Sequence, residues 1–184
     1  MAEIYRIGSD DIVDRVSEFG GTNLLRGSNT GQDWVYSTFS NEIFTRSTTA
    51  TTESFVSGKT TIPLELDTTY TFSAWLKTNG QVSSVEMFLY DAAVKTVKSK
   101  NLGSLTSDWA FYSWTVTMPS SWSSGTNATS IWNARFDNNG SKTSGTEAIL
   151  YVKHPKLEKG NKPTDWTPAP QDLVTISGTE LQFF

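Results

Sequence analysis

Five stretches of this chain alternate with period two, and each is cut off by a turn. Tyr70-Thr-Phe-Ser-Ala-Trp-Leu-Lys77 is the clearest, stopped by Asn79-Gly80, a dipeptide suited to tight reversals. Val85–Tyr90 follows at hairpin distance, and Phe111–Met118 ends at Pro119 and a Ser-rich loop. Ser130–Phe136 ends at Asp137-Asn-Asn-Gly140, and Glu147–Lys153 is the fifth. Weaker stretches of the same kind lie around Trp34–Phe39, Phe44–Ala50 and Thr60–Leu66. Some eight short strands and no convincing internal helix predict an all-β, antiparallel sandwich. Composition decides between that and disorder. With 23 Ser and 26 Thr the chain is rich in hydroxyls, but 12% of it is aromatic, and rings with β-branched residues favour strands.

The same composition removes several chemistries. There is no Cys, hence no disulfide framework, thiolate zinc site or thiol nucleophile. The single His, His154, sits at a strand end with no Gly-x-Ser-x-Gly turn in the chain, so it reads as a structural or surface residue. No pair of carboxylates stands out for glycoside hydrolysis, and the chain is read as non-enzymatic. A net charge of −4 argues against nucleic-acid binding. The longest relevant apolar stretch, Ala148–Val152, is far too short to insert in a membrane, and Met-Ala-Glu-Ile-Tyr-Arg lacks a signal-peptide core.

Three zones are expected: an arm over 1–20, a sandwich over 21–170, and a tail or the start of a following segment over 171–184. In the arm, Ile12, Val16 and Phe19 have helical spacing, and Tyr5, Ile12 and Phe19 recur every seven residues. Residues 3–19 are read either as a frayed arm or as the end of a helical stalk. From Pro155 onward the sequence reads as extended, with Pro163, Pro168 and Pro170.

Alternation also sorts each strand into two faces. Tyr70, Phe72, Ala74 and Leu76 form one core face, as do Val85, Met87 and Leu89, and Trp132, Ala134 and Phe136. Burial is expected of Phe72, Ala74, Trp114, Trp132 and Phe136. The opposite faces leave Trp75, Glu86, Phe88, Tyr90, Asn133 and Arg135, which read together as a second face. Rings mixed with a carboxylate, an amide and a guanidinium suit carbohydrate: a sugar's C–H face stacks on a ring while its hydroxyls meet donors and acceptors. The competing reading is a face covered by loops or by a partner subunit.

Three motifs carry a family resemblance. Gly21-Thr-Asn-Leu-Leu-Arg-Gly-Ser28, Tyr70–Lys77 and the closing Lys156-Leu-Glu-Lys-Gly-Asn-Lys-Pro-Thr-Asp-Trp-Thr-Pro-Ala-Pro170 resemble carbohydrate-binding-module-like domains of tail and baseplate proteins from phages of Gram-positive bacteria. The resemblance implies a jelly-roll β-sandwich in the virion tail tip, binding host cell-wall or surface polysaccharide beside other phage tail proteins. It implies a homotrimer if the arm forms a stalk. The alternative within the same setting is a structural spacer that binds no sugar. Related sandwiches carry a structural Ca²⁺ near the chain ends, for which Asp33 and Glu158 are the nearby carboxylates. Leu24, Leu25, Leu157 and Trp166 are read as structural, with Trp166 plugging one end of the core. Should Trp75 prove uninvolved, the loops around Trp34, Trp109 or Trp122 are the next candidates for the site.

Overall fold

The computed structural model describes residues 21–59, 61–91, 96–121, 129–177 and 180–183. The arm over 1–20 and the loop at Trp122 lie outside them. In chain order the strands are β1 (Trp34–Val35), β2 (Thr38–Ser40), β3 (Ile43–Thr48), β4 (Ser54–Gly58), β5 (Ile62–Glu65) and β6 (Thr69–Thr78). There follow β7 (Val85–Asp91), β8 (Thr96–Gly103), β9 (Ala110–Thr117), β10 (Thr129–Asn138) and β11 (Ala148–Lys159), then a short hairpin, β12 (Val174–Ser177) and β13 (Glu180–Phe183). Among the described residues the only helical piece is a 3₁₀ turn at Pro170–Asp172, and no helix is long and apolar enough to cross a membrane.

The strands form two antiparallel sheets. The first runs β1-β4-β10-β7-β8, with β5 also paired to β10; the second runs β2-β3-β11-β6-β9. The steps β3 to β4, β6 to β7, β8 to β9 and β10 to β11 each cross from one sheet to the other, which is jelly-roll connectivity. The fold is an all-β jelly-roll sandwich.

One local expectation fails here. β6 and β7 are not a hairpin, since they belong to different sheets. The reason lies in Asn79, whose side chain donates to the Glu147 carbonyl (2.8 Å) and accepts from the Ile149 amide (3.0 Å). The chain leaving β6 is thereby tied to β11, and Val82 bridges to Ser141 before β7 begins on the other layer.

The core lies between the sheets. Tyr70, Phe72, Ala74 and Leu76 face it from β6, Val85, Met87 and Leu89 from β7, and Trp132, Ala134 and Phe136 from β10, all buried as their alternation predicts. Phe72 and Phe136 meet across the layers with ring centroids 4.7 Å apart. Trp114 departs from expectation. It is half-buried and packs on the core's margin with Tyr112 and Val116, because β9 is an edge strand with a neighbour on one side only. Trp34 is core, 4.8 Å from Phe44, with its indole N–H donated to the Arg26 carbonyl (3.0 Å).

The opening and closing motifs are sewn together by Asn23. Its buried amide nitrogen donates to Ser28 Oγ, the Pro155 carbonyl and the Thr167 carbonyl, while its oxygen accepts from the Leu25 and Leu157 amides. Gly21 sits so close to Glu158 that a Cβ there would collide with its carboxylate.

Candidate functional site

The six residues expected to share a face do not. Glu86, Phe88 and Tyr90 on β7, with Asn133 and Arg135 on β10, lie on the outer side of the first sheet. Trp75 lies on the outer side of the second. With the layers roughly 10 Å apart and a filled core between them, these are opposite sides of the molecule.

On the first sheet, register places Arg135 opposite Phe88, Asn133 opposite Tyr90 and Asp137 opposite Glu86. The Arg135 guanidinium carbon lies 4.1 Å from the Phe88 ring centroid and 4.4 Å from that of Phe55. Its Nη2 donates to Glu53 (2.8 Å) and to Asp137 Oδ2 (2.9 Å), and its Nε sits 2.7 Å from Asp137 Oδ1. Asp137 is fully buried. Burial pushes its carboxyl up to about 7, opposed by Arg135 and reinforced by Glu53 and Glu86. Asn133 Oδ1 is buried and has no hydrogen-bond partner among the described residues. Arg135 is thus clamped by its own neighbours, which already occupy the groups a sugar would use.

The second sheet presents a different surface. Its outer grid is set by register: Trp75 faces Phe111 on β9 and Lys153 on β11, Ser73 faces Ser113 and Lys156, and Lys77 faces Tyr151. Trp75 and Phe111 are 42% and 44% exposed and touch at 5.7 Å between centroids. Large rings so placed stand out on a sandwich whose other aromatics are mostly packed.

A wall makes this surface concave. β11 carries a bulge between Lys153 and Lys156, with His154 at φ 53° and Pro155 where no ladder donor is needed. The bulge turns His154 outward, where Trp166 stacks on it at 4.2 Å and 13°. Trp166 donates its indole N–H to the Pro155 carbonyl (3.2 Å). It therefore lies outside the second sheet and does not plug the core. His154 Nε2 lies 3.2 Å from Glu42 Oε2; Glu42 is brought there by the two-residue turn Asn41-Glu42, both at positive φ, joining β2 to β3.

The chain after β11 folds back over the sheet and is held by a buried ion pair. Lys156 and Glu158, each 1% exposed, approach to 3.3 Å. Lys156 Nζ also donates to Thr164 Oγ1 (2.6 Å) and the Asp165 carbonyl (2.8 Å). Glu158 accepts from the Thr164 amide (2.8 Å) and hydroxyl (2.6 Å). This covers Thr71 and Ser73 on a face that would otherwise be open, and leaves Trp75 at the edge of the cover. The result is a groove of about 310 Å³ lined by Ser73, Trp75, Phe111, His154, Thr164, Asp165 and Trp166, with Pro163 at its rim.

The donor set does not fit the Ca²⁺ that the resemblance implied. Glu158 is spent on Lys156 and Thr164, Asp33 pairs with Arg26 at 3.7 Å, and no group of three or more metal-ligating side chains occurs among the described residues.

Nothing in the sequence marks Phe111, or the pairing of His154 with Trp166, as part of a site. Solved structures of similar shape place the fold among known ones. The chain is similar to a chain described as family 16 carbohydrate-binding module 2, with TM-score 0.50 and 16% identity over 73% of this chain and 99% of that one. It is similar to a CBM4 module at TM-score 0.54 and 16% identity, with the same coverages. It has a carbohydrate-binding-module-like fold. The tripod from the baseplate of bacteriophage Tuc2009 matches 84% of this chain at TM-score 0.54 and 14% identity, covering 60% of that chain. No protein-family model matches, and no curated protein does.

Proposed function

We propose that the chain is a non-catalytic carbohydrate-binding module of a phage tail or baseplate protein, adhering to host cell-wall or surface saccharide. The observation that carries this is the groove over Trp75 and Phe111, where two exposed rings meet a wall carrying the His154 imidazole and the Asp165 carboxylate. A sugar's C–H face would cover the rings, and its hydroxyls would bond along the wall. The likeness to module chains supports the sugar, and the likeness to the baseplate tripod supports the setting. Of the residues first assigned to the site, Trp75 stays central. Glu86, Phe88, Tyr90, Asn133 and Arg135 form a secondary face on the other sheet, where Tyr36, 60% exposed, packs edge-on against Phe55.

Affinity per groove is expected to be weak, since hydroxyls exchange water for protein partners at small net gain. Several copies on one particle would compensate through effective concentration. The test is retention on isolated host cell walls. Trp75→Ala should lose it while costing no more than about 1 kcal/mol of stability, as substitutions at exposed positions do. Full retention by that variant, folded, would move the site elsewhere. The alternative, a spacer without sugar binding, predicts no retention by the wild-type chain at all.

A further inference from the structure

Lys77 follows Trp75 by two residues on the same outer face of β6, one step along the strand, a spacing of about 7 Å. Register sets Tyr151 directly opposite it, and Trp109 stands just before β9 on its other side. Its Nζ lies 5.1 Å from the centroid of each ring. Two aromatic faces therefore hold the ammonium in place by cation–π attraction.

Rings offer a cation charge density but no lone pair, so the ammonium's N–H donors stay available. Among the described residues no carboxylate lies within ion-pair distance of Lys77, whereas Lys153, Lys156 and Lys159 each have one. Lys77 stands next to the groove, beyond Trp75; within the groove Asp165 is the lining carboxylate, and Glu42, behind His154, is shared with Lys153. The platform thus carries a positioned cation without a carboxylate partner at one end and the Trp75 and Phe111 rings beside it, while Lys153, opposite Trp75, is committed to Glu42.

Taking the saccharide reading above as its basis, we propose that this surface selects an anionic glycan, whose carboxylate or phosphate group is bound by Lys77 while an adjoining sugar ring covers Trp75 and Phe111. The ammonium supplies charge-assisted hydrogen bonds to the anion, and the flanking rings fix its position before the ligand arrives.

The test is electrophoresis of the full chain through gels containing matched polymers. Hydroxyethyl-cellulose is set against carboxymethyl-cellulose, methyl-esterified pectin against polygalacturonate, and poly(glycerol phosphate) is run as the phosphate probe. The charged member of a pair should bind roughly tenfold more tightly than the neutral one, the size of one hydrogen bond to a charged group. Added salt should erode the difference. Lys77→Met, which keeps the stem packed between the rings, should abolish it, and Lys77→Arg should preserve it. Stronger retardation by polygalacturonate or by poly(glycerol phosphate) identifies the anion as carboxylate or phosphate. Binding of neutral polymers with no preference for charge, or a Lys77→Met variant indistinguishable from wild type, overturns the anionic assignment and leaves the saccharide reading standing. Retention by none of the polymers overturns the anionic assignment, and the saccharide reading then stands or falls on the cell-wall assay alone.

Discussion

Asn23 shows how much one side chain can hold. Its amide makes five hydrogen bonds, reaching the Ser28 hydroxyl, two carbonyls and two amides, and joins the opening motif to the closing one. Asn23→Ala strands several of those buried groups at about 1–3 kcal/mol each. Denaturant unfolding should show a loss of at least about 3 kcal/mol; a loss below about 1 kcal/mol would mean water replaces the amide. Asp137 makes a second prediction, in pH. Burial raises its folded-state pKa from 3.8 to about 7, so the native state binds its proton more readily than the unfolded chain. Its ionised form is a cost above about 7 that is relieved as pH falls toward 4. Wild-type melting temperature should gain on Asp137→Asn as pH drops from above 7 into that window. Parallel pH profiles would place the Asp137 pKa near its ordinary value.

At the scale of elements, the segment after β11 decides where the groove lies. The buried Lys156–Glu158 pair and Thr164 pin it to the sheet, and removing one partner leaves the other charge buried alone. Lys156→Met should cost about 3–5 kcal/mol, as broken buried pairs do. Amide exchange should quicken first over residues 160–167, ahead of β6 and β7; uniform quickening would mean the segment is not an independent unit. Several elements were legible in the sequence and others were not, for physical reasons. β6, β7 and β10 show clean alternation because one face of each is core. β8 was hidden because Lys98 and Lys100 occupy register positions opposite the core-facing Leu89 and Met87, an edge-strand protection that reads as loop. β11 was cut short at Lys153 because His154-Pro155 reads as a strand end, yet a bulge carries the strand through to Lys159. The sequence does not single out Phe111 for a site because Phe111-Tyr112-Ser113-Trp114 puts rings on both faces, so alternation cannot choose between them.

For the whole molecule, alternation separates inside from outside, but it does not say which sheet a strand joins. Alternation alone puts Trp75 on the polar face of β6, but grouping it with Phe88 and Arg135 requires β6 and β7 to be neighbours. The jelly-roll crossing between them places the two aromatic surfaces on opposite sides. The fold itself rests on rings such as Phe72, wholly buried against Phe136. Phe72→Ala should cost about 3–5 kcal/mol in denaturant unfolding; a much smaller cost would mean that the layers repack. Whether the second sheet takes saccharide is decided by comparing one ring from each side. Phe111→Ala and Tyr90→Ala are assayed for retention on host cell walls, with thermal melts confirming that both are folded. Phe111→Ala should lose most of its retention while Tyr90→Ala matches wild type; the opposite pattern would place the binding face on the first sheet.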